Sequence, residues 1–460
     1  MLGKYCLLLI FSCLFAVRSS VHSRRYKPTW ESIDSRPLPE WYDNSKIGIF
    51  IHWGVFSVPA KQSEWFWWDW KGLNNQKLID YMSLYYKPNF SYAEFAPSFT
   101  AKHYNPDYWA SVFKAAGARY VVLTSKHHEG FTLWPSKTSW NWNAMDIGPK
   151  RDLVGELATA IRKTDIRFGL YHSLYEWFNP LFLSDQANNF STQLFPKTKT
   201  IPELYDLVNT YKPEIIWSDG DWNATDEYWT SKEWIAWLYN ESPVKDTVVI
   251  NDRWGSGIIC NHGGYLTCSD RFLPGSLQQR KWENAMTLDR HSWGYVKQST
   301  TADYLTYKEI IATLVKTISY GGNLLINVGP TAEGTLPPIM EERLRQMGNW
   351  LKANGEAIYN TQPWVYQNDT LTKDVYYTEP KYSEESSAYA IFLDWPANNH
   401  LELGAVSANG NKTEINFIGA DGSYTPLVWS KRGSHIIVHL NPIISDLWGW
   451  VLVLSHVVPI

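Results

Sequence analysis

The stretch Ile215-Ile216-Trp217-Ser218-Asp219-Gly220-Asp221-Trp222 decides how the chain is read. Two β-branched residues run into an aromatic, and a carboxylate then stands beside a glycine. A buried parallel strand has this pattern when it delivers an acid to the open end of a sheet. Glycine lets the backbone turn sharply after Asp219, so the carboxylate can face a cleft. Taken alone, the same residues also describe a strand followed by an ordinary Asp-Gly turn. The flanking segments separate the two readings.

Ile47 to Gly54 is a short buried strand ending in His52 and a glycine. Further strands are expected at Arg119–His128, Ile166–Ser173, Thr247–Arg253 and Asn323–Gly329. Helical segments fall between them, at Tyr104–Gly117, Arg151–Thr164, Ile201–Tyr211, Thr230–Tyr239, Thr306–Ser319 and Leu336–Asn354. Repeated strand-helix units predict an α/β fold, with a (β/α)8-type barrel as the commonest solution and an open doubly wound sheet as the rival. No glycine-rich phosphate loop follows any strand, which weighs against nucleotide binding. Polar residues recur at strand C-terminal ends, as His52, His127, His128, Tyr171, Asp219 and Arg253. Barrel active sites are built from such positions. From Trp364 the pattern changes to short alternating segments such as Ala388–Leu393 and His435–Leu440. The barrel is therefore assigned to 24–363 and a C-terminal antiparallel β-sandwich to 364–460.

Residues 1–23 read differently. Lys4 precedes an apolar run, Tyr5 to Val17, followed by Ser19, Ser20 and Ser23, the layout of a secretory signal too short to span a bilayer. No later stretch is apolar enough to be a membrane span. Once the signal is removed, Cys260 and Cys268 remain, and in an oxidising compartment they are expected to pair, free buried thiols being the alternative. Six sequons, at Asn89, Asn189, Asn223, Asn240, Asn368 and Asn411, fit the same route, to the lysosome or the exterior. A net charge of −4 offers no electrostatic footprint for nucleic acid. With 26 Trp and 28 Tyr, the chain is rich in rings on which the flat CH faces of sugars can stack.

Several segments together resemble the α-L-fucosidases of glycoside hydrolase family 29, in their animal form. They are Phe50-Ile-His52-Trp-Gly54, Glu64-Trp65, Ser125-Lys-His127-His128-Glu-Gly-Phe131, Trp217-Ser-Asp219-Gly220, Asn251-Asp-Arg253-Trp-Gly255, Lys281-Trp282-Glu283 and Gly321-Gly-Asn323 through Pro330. The resemblance implies a barrel followed by a sandwich, and a retaining exo-glycosidase that removes terminal α-L-fucose from glycans through a covalent intermediate. It implies no cofactor or metal, and a homo-oligomer. Asp219 matches the nucleophile. Two carboxyls compete for the acid/base role: Asp270, beyond the Cys260–Cys268 loop, is favoured over Glu283, because the acid has to be partly desolvated, with a raised pKa, yet near the leaving group. His52, Glu64, Trp65, His127, His128, Tyr171, Trp217 and Arg253 match sugar-binding positions. A zinc site at His127-His128 is disfavoured, since neighbours on a strand face opposite sides. Asp221 is expected to be a loop residue. Ala285 stands where the family usually has Cys, which glycosidic cleavage does not need. A catalytically inactive fucose-binding lectin on the same scaffold is the alternative from another class.

Overall fold

A computed structural model describes residues 25–383, 386–441 and 448–460, so the expected signal at 1–23 lies outside the described residues. Its centre is a parallel sheet of seven strands: β1 Ile47–Ile51, β2 Tyr120–Lys126, β3 Arg167–Ser173, β4 Ile215–Asp219, β5 Val249–Ile250, β6 Trp282–Thr287 and β7 Gly322–Val328. Their order is β5-β4-β3-β2-β1-β7-β6. Nearly every residue of these strands is buried, as expected of a sheet covered on both faces.

The two sheet edges do not stay open. Tyr265 N–H donates to the Ile250 carbonyl (3.1 Å), Leu266 N–H to that of Lys281 (2.9 Å), and Glu283 N–H to that of Leu266 (2.8 Å). One short segment thus hydrogen-bonds to both edges and closes the barrel, which removes the exposed edges an open sheet would carry. The strand expected at Thr247–Arg253 shortens to two residues for a physical reason. Past Ile250, the Asn251 side chain takes over pairing with β4, accepting from Ser218 N–H (3.0 Å) and donating to the Ser218 carbonyl (2.8 Å).

Helices cover the outside. Pro106–Ala115, Leu153–Ile161, Ile201–Tyr211, Ser231–Asn240, Tyr307–Ser319 and Pro338–Asn354 match the helical segments read from the sequence, with trimmed ends. Residues 251–281 contain no helix; the Cys260–Cys268 disulfide staples this crossover instead. Inside the barrel, Tyr42, Phe50, Tyr120, Tyr171, Trp217 and Tyr265 pack as one aromatic column. Gly48 makes room for it: a Cβ there would lie 2.2 Å from the Tyr120 ring.

The C-terminal part is antiparallel throughout. A six-stranded sheet running from Thr361–Asn368 at one edge to Tyr424–Pro426 at the other faces a three-stranded sheet of His400–Leu403, His435–His439 and Val428–Arg432. Tyr377, Phe392, Leu401, Val438 and Leu452 share the core between them. The outer side of the large sheet, with Ile391 and Val451, packs on Ile311 and Trp350 of the barrel helices, and the Trp350 indole N–H donates to the Gly449 carbonyl (2.7 Å).

A buried ion network lies under the C-terminal ends of β2 and β3. Lys126 Nζ donates to Glu176 (3.0 Å) and Glu203 (3.0 Å), while Lys199 reaches Glu203 (2.8 Å) and Glu176 (3.2 Å). Ser136, Thr138 and Ser139 also donate to Glu203. Two cations balance two anions, so the network is neutral as a whole. Removing one partner strands a buried charge at a cost of about 3–5 kcal/mol. We therefore expect Lys126→Met to lower the unfolding free energy by about that much in denaturant titrations, and Lys126→Met with Glu203→Gln to recover part of it.

Candidate active site

The cavity opens at the C-terminal end of the barrel, where the strands hand over to loops. Phe50, Tyr171 and Trp217 form its floor and inner wall. Asp219, the last residue of β4, enters from one side, and Gly220 turns the chain away with φ +73°, the left-handed region that glycine occupies readily. A Cβ on Gly220 would also lie 2.3 Å from the Tyr175 ring.

Both Asp219 oxygens are engaged. Tyr171 Oη donates to Oδ2 (2.8 Å), and Arg253 Nη1 donates to Oδ1 (3.1 Å). The other end of the same guanidinium, Nη2, donates to Asp270 Oδ1 (2.7 Å). Arg253 also lies over the Trp217 ring, 4.6 Å from its centroid. One guanidinium therefore spans the deep carboxylate and the outer one. The Asp219 side chain is 12% exposed, whereas that of Asp270 is 48% exposed at the mouth. Burial alone would depress Arg253, but Asp270 and Asp219 more than compensate and hold it firmly protonated.

The position of Arg253 is itself fixed from behind. Its Nε donates to Thr267 Oγ1 (3.0 Å), and that hydroxyl donates to Asp252 Oδ1 (2.5 Å). Asp252 Oδ2 accepts the backbone N–H groups of Cys260 (2.8 Å) and Cys268 (3.1 Å). The stapled loop is thus tied, through a buried carboxylate and a hydroxyl, to the guanidinium.

The opposite wall presents hydrogen-bond acceptors. Asn327 spends its amide N–H groups on Thr287 Oγ1 (3.0 Å) and the Trp293 carbonyl (2.7 Å), so its Oδ1 accepts from His52 Nδ1 (2.7 Å). That fixes the His52 tautomer and leaves Nε2 as an acceptor. Ser173 Oγ donates to the Tyr175 carbonyl (2.7 Å) and accepts from His128 Nδ1 (2.6 Å), again leaving Nε2 bare, 3.6 Å from Asp219 Oδ2. Burial, reinforced by the His127 imidazole and, at His128, also by His52, Lys126 and Arg253, pushes both His52 and His128 well below the ordinary imidazole range, so both are neutral. Glu64 Oε2 takes three donors, Ser292 Oγ (3.0 Å) and the N–H groups of Trp293 (2.9 Å) and Gly294 (3.0 Å). Such a wall suits a ligand that brings hydroxyl donors on several carbons.

His127 and His128 both line this cavity, with ring centroids 4.1 Å apart. The opposite-faces argument made from the sequence fails here, because β2 ends at Lys126 and the pair sits in the following turn. Trp65 also reaches the cavity, edge-on to His128. Glu283 does not. It sits near the N-terminal end of the barrel, behind Trp217, accepting from Tyr42 Oη (2.7 Å), Tyr120 Oη (2.7 Å) and Trp217 Nε1 (2.9 Å). Burial raises its carboxyl above the ordinary range, and these donors only partly offset that. Trp222, Trp293, Asn327 and Thr267 were not singled out in the sequence, although Trp222 and Asn327 lie in segments quoted above.

Cys260 and Cys268 are joined. Five of the six sequon asparagines are exposed: Asn89, Asn189, Asn223, Asn368 and Asn411. Asn240 differs: its amide donates to the carbonyls of Tyr26 (2.8 Å) and Ala236 (2.7 Å), and its oxygen accepts from Tyr26 N–H (2.9 Å). A glycan there would cost one of these bonds.

Asp221 is buried, its Oδ2 accepting Gly255 N–H (3.2 Å). Burial, and then the Asp219 charge, push its carboxyl up to about 7. A folded-state value above the unfolded one means that stability present below about pH 4 is lost as pH rises toward 7. Asp221→Asn keeps an acceptor for Gly255 without the charge. In thermal melts it is expected to match the parent at acidic pH and to be more stable by about 1–3 kcal/mol at pH 8.

The comparisons agree with this geometry. A family model described as alpha-L-fucosidase matches residues 13–356, and one for the alpha-L-fucosidase C-terminal domain matches 367–455. Plasma alpha-L-fucosidase of Rattus norvegicus is 56% identical over 444 residues, covering 95% of this chain and 96% of its own. Tissue alpha-L-fucosidase of Homo sapiens is 54% identical over 424 residues, covering 92% and 89%. Among solved structures, the Thermotoga maritima alpha-fucosidase in complex with fucose superposes with a TM-score of 0.77 at 31% identity, covering 94% of this chain and all of the other. The chain belongs to the α-L-fucosidase family of glycoside hydrolases.

Proposed function

We propose that this enzyme removes terminal α-L-fucose from glycans with retention of configuration, through a covalent fucosyl-Asp219 intermediate. The observation that carries the reading is the Arg253 bridge between Asp219 and Asp270. Retaining glycosidases need two carboxyls about 5–5.5 Å apart, closer than inverting enzymes, which seat a water between them. A single guanidinium contacts both carboxyls, so the two share one site within reach of one glycosidic bond.

The roles follow from position. Asp219 is buried, held by Tyr171 and Arg253, and aimed at the cavity floor, as a nucleophile for the anomeric carbon should be. Asp270 stands at the mouth, where a leaving group passes. Its Oδ1 is engaged by Arg253, leaving Oδ2 to give a proton to the glycosidic oxygen and later to take one from the attacking water. His52, His128 and Glu64 accept from the sugar hydroxyls. Phe50, Tyr171 and Trp217 supply apolar surface for the C6 methyl. Fucosylated glycoproteins and glycolipids would meet the enzyme in the lysosome or outside the cell, in keeping with the sequons and the disulfide.

Turnover of an aryl α-L-fucoside, with the product anomer followed by NMR, tests the reading: α-L-fucose is expected as first product. Asp219→Ala should lose at least about a thousandfold in kcat. Azide should restore part of that rate and yield the β-fucosyl azide. The choice of acid is tested separately by the same substrate series. Asp270→Ala should slow fucosides with poor leaving groups by about 100-fold or more, and spare glycosylation by activated ones. Glu283→Ala should lower stability instead, since it strips three buried donors of their partner. The opposite pattern would assign the acid role to Glu283.

A further inference from the structure

The cavity holds about 80 Å³, and a single water occupies roughly 10–15 Å³ on that scale, so it takes one small ring and not a chain. Whatever is attached to the sugar's anomeric carbon has to lie at the mouth. Two half-exposed side chains frame that mouth. One is Asp270; the other is Trp222, which is 45% exposed.

An exposed tryptophan is not by itself a site. Trp140 is 82% exposed and lines no cavity described here, and scattered apolar residues on a surface are ordinary. Trp222 differs in being fixed. Its ring is edge-on to His128 (5.5 Å between centroids) and to Tyr175 (5.4 Å), and close to parallel with Trp65 (6.2 Å, 20°). Its backbone follows the turn at Gly220, with the buried Asp221 tied to Gly255 between them. Three aromatic neighbours and an anchored turn therefore hold the indole at a set distance from Asp219. A large rigid ring kept half in water beside a one-ring cavity is suited to a ligand with a flat apolar face.

We infer that Trp222 is the platform for the first residue of the leaving group, a pyranose stacking its CH-rich face on the open side of the indole. This rests on the fucosidase reading above and adds the site on the far side of the scissile bond. The energy of that stacking would be realised only by substrates whose leaving group has a ring, and truncated substrates forgo it.

The test compares two substrates on the same preparations. An α-L-fucosyl hexose disaccharide offers a ring to Trp222; α-L-fucosyl fluoride offers none. For Trp222→Ala, kcat/KM on the disaccharide is expected to fall at least tenfold more than on the fluoride, with Trp222→Phe recovering most of the difference. Equal losses on both substrates would overturn the inference, by placing Trp222 in the fucose pocket or in the fold. So would no loss on the disaccharide. If the parent enzyme failed to release fluoride at all, the fucosidase reading would fall, which is a different result.

Discussion

The site depends on one guanidinium. Arg253 joins Asp219 to Asp270, lies on Trp217, and is held from behind by Thr267. A buried arginine facing two carboxylates needs its other donors directed as well, and the Thr267–Asp252 pair directs its Nε–H. Asp252 in turn pins both ends of the disulfide loop through backbone N–H groups. This explains why the barrel departs from regular alternation between β5 and β6. A helical crossover would carry the chain to the outside of the barrel. The stapled, helix-free crossover keeps it at the mouth, where it supplies Thr267 and Asp270 and, on its way back, the segment that closes the sheet.

The other half of the pocket shows how burial can set chemistry without any charge. His52 and His128 are kept neutral by desolvation, and each has its proton placed on Nδ1 by a partner whose own hydrogen bonds leave it no other option. The consequence is a pair of outward lone pairs. His128 Nε2 and Asp219 Oδ2 face each other as two acceptors, 3.6 Å apart. A ligand hydroxyl there donates to only one of the two, and further hydroxyls are needed for the other acceptors of the wall, so the cavity favours a polyhydroxylated guest before any particular hydroxyl is identified.

Much of this was legible in the sequence, because burial and polarity segregate along each strand. Six helices showed through apolar spacing, whereas Gln76–Tyr85, of similar length, was not read, and strands β1 to β4 and β7 showed through continuous apolar runs ending in polar residues. What could not be read has specific causes. β6 begins with Trp282-Glu283-Asn284, which is polar for a strand, since Glu283 is satisfied by Tyr42, Tyr120 and Trp217 from three distant parts of the chain. Strand β5 reads longer than it is because a side chain, Asn251, replaces the backbone in pairing with β4. The closing segment at Tyr265 and Leu266 is too short to carry any period. The His127-His128 argument failed because it applied strand geometry one residue past the strand's end.

Glu283 has a carboxyl raised by burial, a property commonly sought in a general acid, and it stands in a motif. Yet its surroundings explain the shift without any reaction: a carboxyl sealed in an aromatic column, facing two phenols and an indole that all donate to it. Asp270 has the reverse profile, being half exposed and charge-paired. For a group that has to meet a leaving group, access comes before pKa. A raised pKa in the absence of access identifies a structural carboxyl. Glu283 fixes Trp217 from below, and through Trp217 it sets the surface on which Arg253 rests.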